Sequence, residues 1–331
     1  MEDFYGGRYA KTSGTYTTGA LATVTVSGAG SSSAYIFTVG DVIINQRTGE
    51  RMSVATIASA TTITINRSLG TTAATAGADG DGLFIIGSGS EENASARNVN
   101  TTRSTRNTNY TQIFRTTIAL SDTEKNVKLY GGPDLKYLRA KKGTEHALDI
   151  ERAFWFGEKG STTGTNGHPL KYTGGILEFI EGNSAYVQDQ GGVITAPDFN
   201  TFLREGFTYG DSSKVLFSGG IVLQALSEIA RGQIQMKPIA KSYGMKISEW
   251  VTPFGTISIV HNPLFVEDFA GYAFLIDMSC LKYRYIANRD TRLRTNVQAP
   301  DVDGEIDEYI TECGLERKQA PKCALLKGVQ G

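Results

Sequence analysis

The residues best able to do chemistry in this chain are its three histidines and three cysteines. His146, His168 and His261 lie far apart, and none sits four residues from another. None neighbours a Cys-x-x-Cys pair either, so the spacing gives no zinc ligand set. A Cys/His hydrolase would need Cys280 or Cys313 to meet one of these histidines in space. Cys280 follows an apolar strand and reads as an inert core thiol. His146 reads as a residue on the polar face of a helix, and His261 as a turn residue ahead of Asn262 and Pro263. Gly28-Ala29-Gly30-Ser31 is followed by Ser32, so it is no nucleophile elbow. The carboxylate pairs Asp301/Asp303 and Glu91/Glu92 fall in loops, with no apolar pocket to raise a pKa. The glycine-rich stretch 158–175 (EKGSTTGTNGHPLKYTGG) lacks the Gly-Lys-Ser/Thr of a phosphate-cradling loop. These patterns point away from an enzyme and imply no cofactor and no bound metal.

Two groups of cations are better candidates. Lys136, Arg139, Lys141 and Lys142 crowd the first half of a long helical segment. Cations there oppose the helix dipole, so they do not strengthen the helix. They form either a solvated face or a surface for an anion. Arg97, Arg103 and Arg106 punctuate a polar strip at 87–109, where they either contact other chains or line a solvated linker.

The element that positions the first group is a helix expected over 134–156. Pro133 and Asp134 suit its start and Gly157 its end. It would be a rod of about 35 Å. Ala147, Ile150 and Phe154 mark an apolar face in its second half, with Leu148 below Trp155. Around it, 331 residues are enough for two or three lobes. The net charge of −1 excludes a dedicated nucleic-acid binder and leaves only local contact with nucleic acid. No apolar run is long enough to span a membrane, and no signal peptide is visible. An odd number of widely spaced cysteines suits a chain folded in a reducing cytosol.

Along the chain, 1–19 reads as irregular or extended. The stretch 20–86 alternates apolar and polar residues in short runs: 21–26, 42–45, 51–57, 61–66 and 83–86. Such spacing predicts a compact all-β module. A strand at 110–120 precedes the helix. Thr195 and Asp198 form a capping box that opens a helix at 196–205, and a second helix covers 221–231. Strands follow at 215–218, 245–251, 256–261, 273–277 and 281–286, giving an α+β lobe. The stretch 287–304 reads as an exposed crossing. In 305–315, Ile306, Glu308, Ile310 and Glu312 fall on one side, and Asp307, Tyr309, Thr311 and Cys313 on the other. A last strand is expected at 322–329.

The order of NYTQIF (109–114), EHALDIERAFWFG (145–157), TPFGTISIVHNP (252–263), LIDMSCLKYRYI (275–286) and DEYITECGLERKQAP (307–321) resembles tailed-phage major capsid proteins of the Hong Kong 97-like fold. It is similar to the branch with a β domain inserted in the extended loop. The resemblance implies an α+β chain with a long spine helix (134–156), an extended loop, peripheral and axial domains, and a small all-β insertion. The implied boundaries are 1–19 for the start of the extended loop, 20–88 for the inserted β domain and 89–130 for the loop's return. The peripheral domain would cover 131–190 and, through its C-terminal strands, 291–331, with the axial domain at 191–290. Family members carry an N-terminal arm, whereas this sequence looks as if it starts inside the loop.

The implied function is a self-assembling shell protein. Its copies form hexamers and pentamers of an icosahedral head around double-stranded DNA, assembled in the host cytoplasm. Lys136, Arg139, Lys141 and Lys142 would face that DNA, and Arg97, Arg103 and Arg106 would serve contacts between subunits. A decoration or cement protein and a portal are the further implied partners. The competing reading is a β-rich tail, adhesion or glycan-binding protein whose working part is the β module.

Overall fold

The computed structural model describes residues 9–27, 33–93, 95–96, 106–126, 134–183, 185–233, 237–242 and 245–330. The chain divides into two compact units, 1–106 and 107–331.

The first unit is a closed six-stranded barrel. Its strands are β1 (Tyr9–Thr12), β2 (Leu21–Ser27), β3 (Asp41–Asn45), β4 (Arg51–Ile57), β5 (Thr62–Asn66) and β6 (Gly82–Ser88). They close in the order β1-β2-β5-β4-β3-β6. Alternation drives this: in LATVTVS, Ala22, Val24 and Val26 point inward and the residues between them face out. Tyr9–Thr12, in the stretch read as irregular or extended, is a strand of this barrel: Ala10 and Thr12 are buried and Tyr9 pairs with Phe84. Four residues of alternation are too few to stand out in a sequence, and only the closure of the barrel recruits them. Residues 67–81, between β5 and β6, are held by the buried ion pair of Arg67 with Glu50. Arg67 also donates to the carbonyl oxygens of Thr17 and Thr75, while Glu50 accepts from the amides of Ser68 and Thr75.

In the second unit, β7 (Gln112–Ser121) and the short α1 (Asp122–Asn126) precede α2 (Asp134–Phe156). A hairpin, β8 (Gly160–Thr163) and β9 (Pro169–Tyr172), occupies the stretch expected to be loop. Then come α3 (Ile176–Glu181), β10 (Tyr186–Gly192), α4 (Ala196–Gly206), β11 (Ser213–Ser218), α5 (Gly220–Gln233), β12 (Lys237–Ser242), β13 (Met245–Thr252) and β14 (Gly255–His261). The last strands are β15 (Ala273–Ile276), β16 (Leu281–Tyr285), β17 (Arg292–Arg294), β18 (Gly304–Arg317) and β19 (Ala324–Val329). The capping box forms, with Thr195 and Asp198 each bonding the other's backbone amide.

Two sheets organise this unit. The larger is mixed, in the order β10-β19-β15-β11-β14-β13-β12. Its strand AFLI is buried throughout, because Leu275 faces a core with Phe199, Phe202 and Leu226 while Phe274 and Ile276 face a second core. The smaller sheet centres on β18, with β7 along one edge and β16 and β17 in succession along the other.

Trp155 anchors the end of α2 in the second core. Its ring lies 5.1 Å from Phe217, 5.0 Å from Phe265 and 5.2 Å from Phe274. Ala147, expected on the apolar face, is exposed. The face that meets the small sheet instead runs through Arg139, Gly143 and His146, at spacings of four and three. A helical wheel of apolar residues missed it because most of those residues are polar.

Candidate functional site

The small sheet carries many charged and titratable groups, sorted onto two faces by the pleat. Residues directly opposite on antiparallel strands share a face. Asp307, Tyr309 and Thr311 of β18 therefore lie beside Ile118, Thr116 and Phe114 of β7, beneath α2.

On that covered face, Arg139 donates from Nε to Asp307 Oδ2 at 2.6 Å and from Nη2 to Glu305 Oε1 at 2.9 Å. Asp307 is fully buried and also accepts from the amide of Asn296 at 3.1 Å. Lys125 adds a second cation to Glu305 at 2.8 Å. Gly143 lets Tyr309 approach, since a Cβ there would lie 3.2 Å from the phenol oxygen. Tyr309 then donates its hydroxyl to the Arg139 carbonyl at 3.1 Å.

His146 is the largest correction to the sequence reading. Expected on a polar outer face, it is 1% exposed. Its Nδ1 lies 2.9 Å from Thr116 Oγ1 and its Nε2 lies 2.8 Å from Thr311 Oγ1. Thr311 donates its hydroxyl to Thr291 Oγ1 at 2.8 Å, so Thr311 accepts from His146 Nε2 and Nδ1 accepts from Thr116. Burial lowers the histidine pKa, and Asp149 opposes that shift. Each ring nitrogen meets a threonine and neither meets a thiol, so the Cys/His hydrolase geometry does not form at this histidine.

The four helix cations do not act together. Arg139 belongs to the helix–sheet seam, and Lys142 pairs with Glu145 at 2.6 Å. Lys136 and Lys141 are exposed. Of the arm arginines, Arg106 is exposed, and Arg97 and Arg103 lie outside the described residues.

On the opposite face, buried or half-buried glutamates lie under more exposed arginines. Glu308, Glu312 and Glu316 stand four residues apart on β18, and each is met by an arginine: Arg115, Arg289 and Arg284 respectively. The Arg115–Glu308 contact measures 2.5 Å, and Lys318 also reaches Glu316 at 2.7 Å. Lys318 and Arg284 hold the Glu316 carboxyl down at about 2. A four-residue spacing in a strand marks a single face, so this carboxylate line is legible in the sequence. The arginines that meet it come from β7, β16 and the loop after β16, and no local pattern joins them.

A cleft of about 450 Å³ opens beside this sheet, lined among others by Asn109, Tyr110, Lys159, Glu178, Arg284 and Arg317. Asn109 donates to the carbonyls of Gly174 at 3.0 Å and Leu315 at 2.8 Å and accepts from the Gly174 amide at 2.8 Å. It thus clasps three segments together. Arg317 binds Glu178 at 2.8 Å and sits 5.3 Å from the Phe179 ring centre. The cleft lining offers no histidine or cysteine. Among the described residues no group of three His, Cys, Asp or Glu side chains could hold a metal. Cys280 and Cys323 are both buried, and the neighbouring Cys280 thiol together with burial pushes Cys323 up. Among the described residues no helix is long and apolar enough to cross a membrane.

The small sheet with a long helix on one face, the mixed second sheet and the separate barrel agree with the comparisons. The SU10 major capsid protein family model matches residues 11–330. The major capsid protein of Pseudomonas phage PaMx41 is 26% identical over 324 residues, covering 88% of this chain and 76% of that protein. Among solved structures, the capsid of an empty GTA particle superposes with a TM-score of 0.50 at 13% identity, covering 74% of this chain and 81% of that one. The capsid of the native GTA particle gives 0.50 at 12% identity, covering 74% and 82%. The chain belongs to the SU10 major capsid protein family and is a phage major capsid protein with the Hong Kong 97-like fold.

Proposed function

We propose that copies of this chain form the hexamers and pentamers of an icosahedral phage head that encloses double-stranded DNA, assembled in the host cytoplasm. The observation that carries this reading is the family match across both units, from residue 11 to residue 330. The role is structural rather than catalytic. The buried histidine is engaged by threonines, and the densest charge clusters are already paired.

In this reading 131–190 and 291–331 form the peripheral domain and 191–290 the axial domain that gathers around the symmetry axes. The barrel serves as a seat for a decoration protein, and a portal is a further partner of the shell. Arg97, Arg103 and Arg106 serve contacts between subunits. Of the four helix cations, Lys136 and Lys141 are the ones exposed and therefore able to meet packaged DNA through non-specific, salt-sensitive phosphate contacts.

The test is expression of the full chain followed by sedimentation and electron microscopy. Closed megadalton shells or ring-shaped capsomers are expected, and a stable trimer or monomer as the sole product overturns the reading. Particles carrying Lys136→Gln and Lys141→Gln should assemble normally and lose DNA at lower salt than the wild type. Unchanged retention removes the DNA-facing role from these lysines.

A further inference from the structure

The face of the small sheet away from α2 has a composition that the shell reading leaves unused. On β7, Ile113 is 50% exposed, and Arg115 follows on the same side. Glu312 is flanked by two isoleucines, because Ile113 is its partner in β7 and the Ile286 amide donates to the Glu312 carbonyl. Ile286 is 41% exposed. One pleat away, Ile310 is flanked by Arg115 on one side and Arg292 on the other. Arg292 is exposed, and among the described residues no carboxylate lies within ion-pair distance of it. Two isoleucines beside two arginines form an apolar step bordered by positive charge.

The same chain presents a complementary shape. In the connection from β17 to β18, Ala299 accepts the Val302 amide at 3.1 Å, which closes a turn with Pro300 at its second position. This turn displays Asp301, Val302 and Asp303, all exposed, with Val302 at 45%. Its stem is pinned to β18, because the Asn296 amide donates to Asp307 and the Ile306 amide to Gln298. The projection is therefore built before any partner arrives, which lowers the ordering cost of docking.

We propose that this sheet face receives the 299–303 turn of a second copy. Val302 fills the step between Ile113 and Ile286, and Asp301 and Asp303 meet Arg292 and Arg115. Knob and receptor are different surfaces, so the contact is heterologous and closes into rings of copies. A protein occupant fits better than duplex DNA, because a phosphate backbone has no apolar group to set against the exposed Ile113 and Ile286. The turn at Glu267 and Asp268, with exposed Val266 before it, has the same composition and serves as the competing knob in the test.

This inference rests on the assembly reading, and the two separate cleanly: wild-type particles establish assembly before any variant is scored. Arg292→Glu, and Asp301→Arg with Asp303→Arg, should each cut particle yield by about tenfold or more, since like charges then face each other. Combining Arg292→Glu with Asp301→Arg should restore most of the yield. A double variant with Ile286→Cys and Val302→Cys should form chain-to-chain disulfides under mild oxidation, seen as dimers and higher species on denaturing gels. Normal assembly of either charge variant overturns the proposal, as does failure of the combination to rescue or the absence of cross-linked chains. Loss of assembly on reversing Glu267 and Asp268 while Asp301 and Asp303 are dispensable also overturns it. So does normal particle yield with lost DNA.

Discussion

His146 Nε2 lies 2.8 Å from Thr311 Oγ1, joining the middle of the spine helix to the central strand of the small sheet. Burial holds the imidazole pKa below its ordinary value, so the folded chain binds fewer protons here than the unfolded one. The stabilisation is complete above the unfolded value, near 6.5, and is lost as pH falls below it. The thermal midpoint of the unassembled subunit should therefore drop between pH 7 and pH 5. His146→Gln should be less stable at pH 7 and show a shallower decline over that interval. Parallel declines would remove His146 from the account.

Arg139 is the cation of the spine helix whose loss should unfold the chain most easily. Its removal leaves Asp307 buried without its ion-pair partner, and Arg139 is itself only partly exposed. Arg139→Gln should cost roughly 2–4 kcal/mol, and Lys136→Gln or Lys141→Gln within about 0.5 kcal/mol. Urea unfolding of the three variants measures the contrast. Equal effects would show that the four cations form one class after all.

Trp155 closes the far end of the helix with three aromatic neighbours. Trp155→Ala should destabilise the second unit by about 3–5 kcal/mol through lost burial and a cavity. Trp155→Phe should cost less. Differential scanning calorimetry would separate the two, and a loss under 1 kcal/mol for the alanine variant would mean the pocket collapses without penalty.

In the barrel, Glu50 and Arg67 are both shielded completely from solvent at their side chains. Arg67→Met alone strands a buried carboxylate and should cost about 3–5 kcal/mol, whereas Glu50→Gln with Arg67→Met should recover part of that loss. Hydrogen exchange in the 67–81 segment reports it directly, because Arg67 also holds the Thr17 and Thr75 carbonyls. Unchanged exchange in the single variant would show that the pair does not hold this segment.

Much of this fold follows from local pattern. LATVTVS can only alternate in and out, and Thr195 with Asp198 caps a helix through atoms three residues apart. Residues 134–156 lie between helix-starting and helix-stopping residues. The side assignment of β18 is equally local, since a strand has a period of two. What tertiary structure alone decided is which of those sides is covered. Whether His146 is solvated or buried depends on Thr116 and Thr311, 30 and 165 residues away. Arg139 and Lys136 look alike on the helix, yet only Arg139 lies over Asp307. The four residues of β1 become a strand because β2 and β6 supply both neighbours. Periodicity reports the free energy of a segment against a generic apolar surface. The identity of the surface it meets comes from closure of the chain over long separations, and there a few buried polar partners outweigh the pattern.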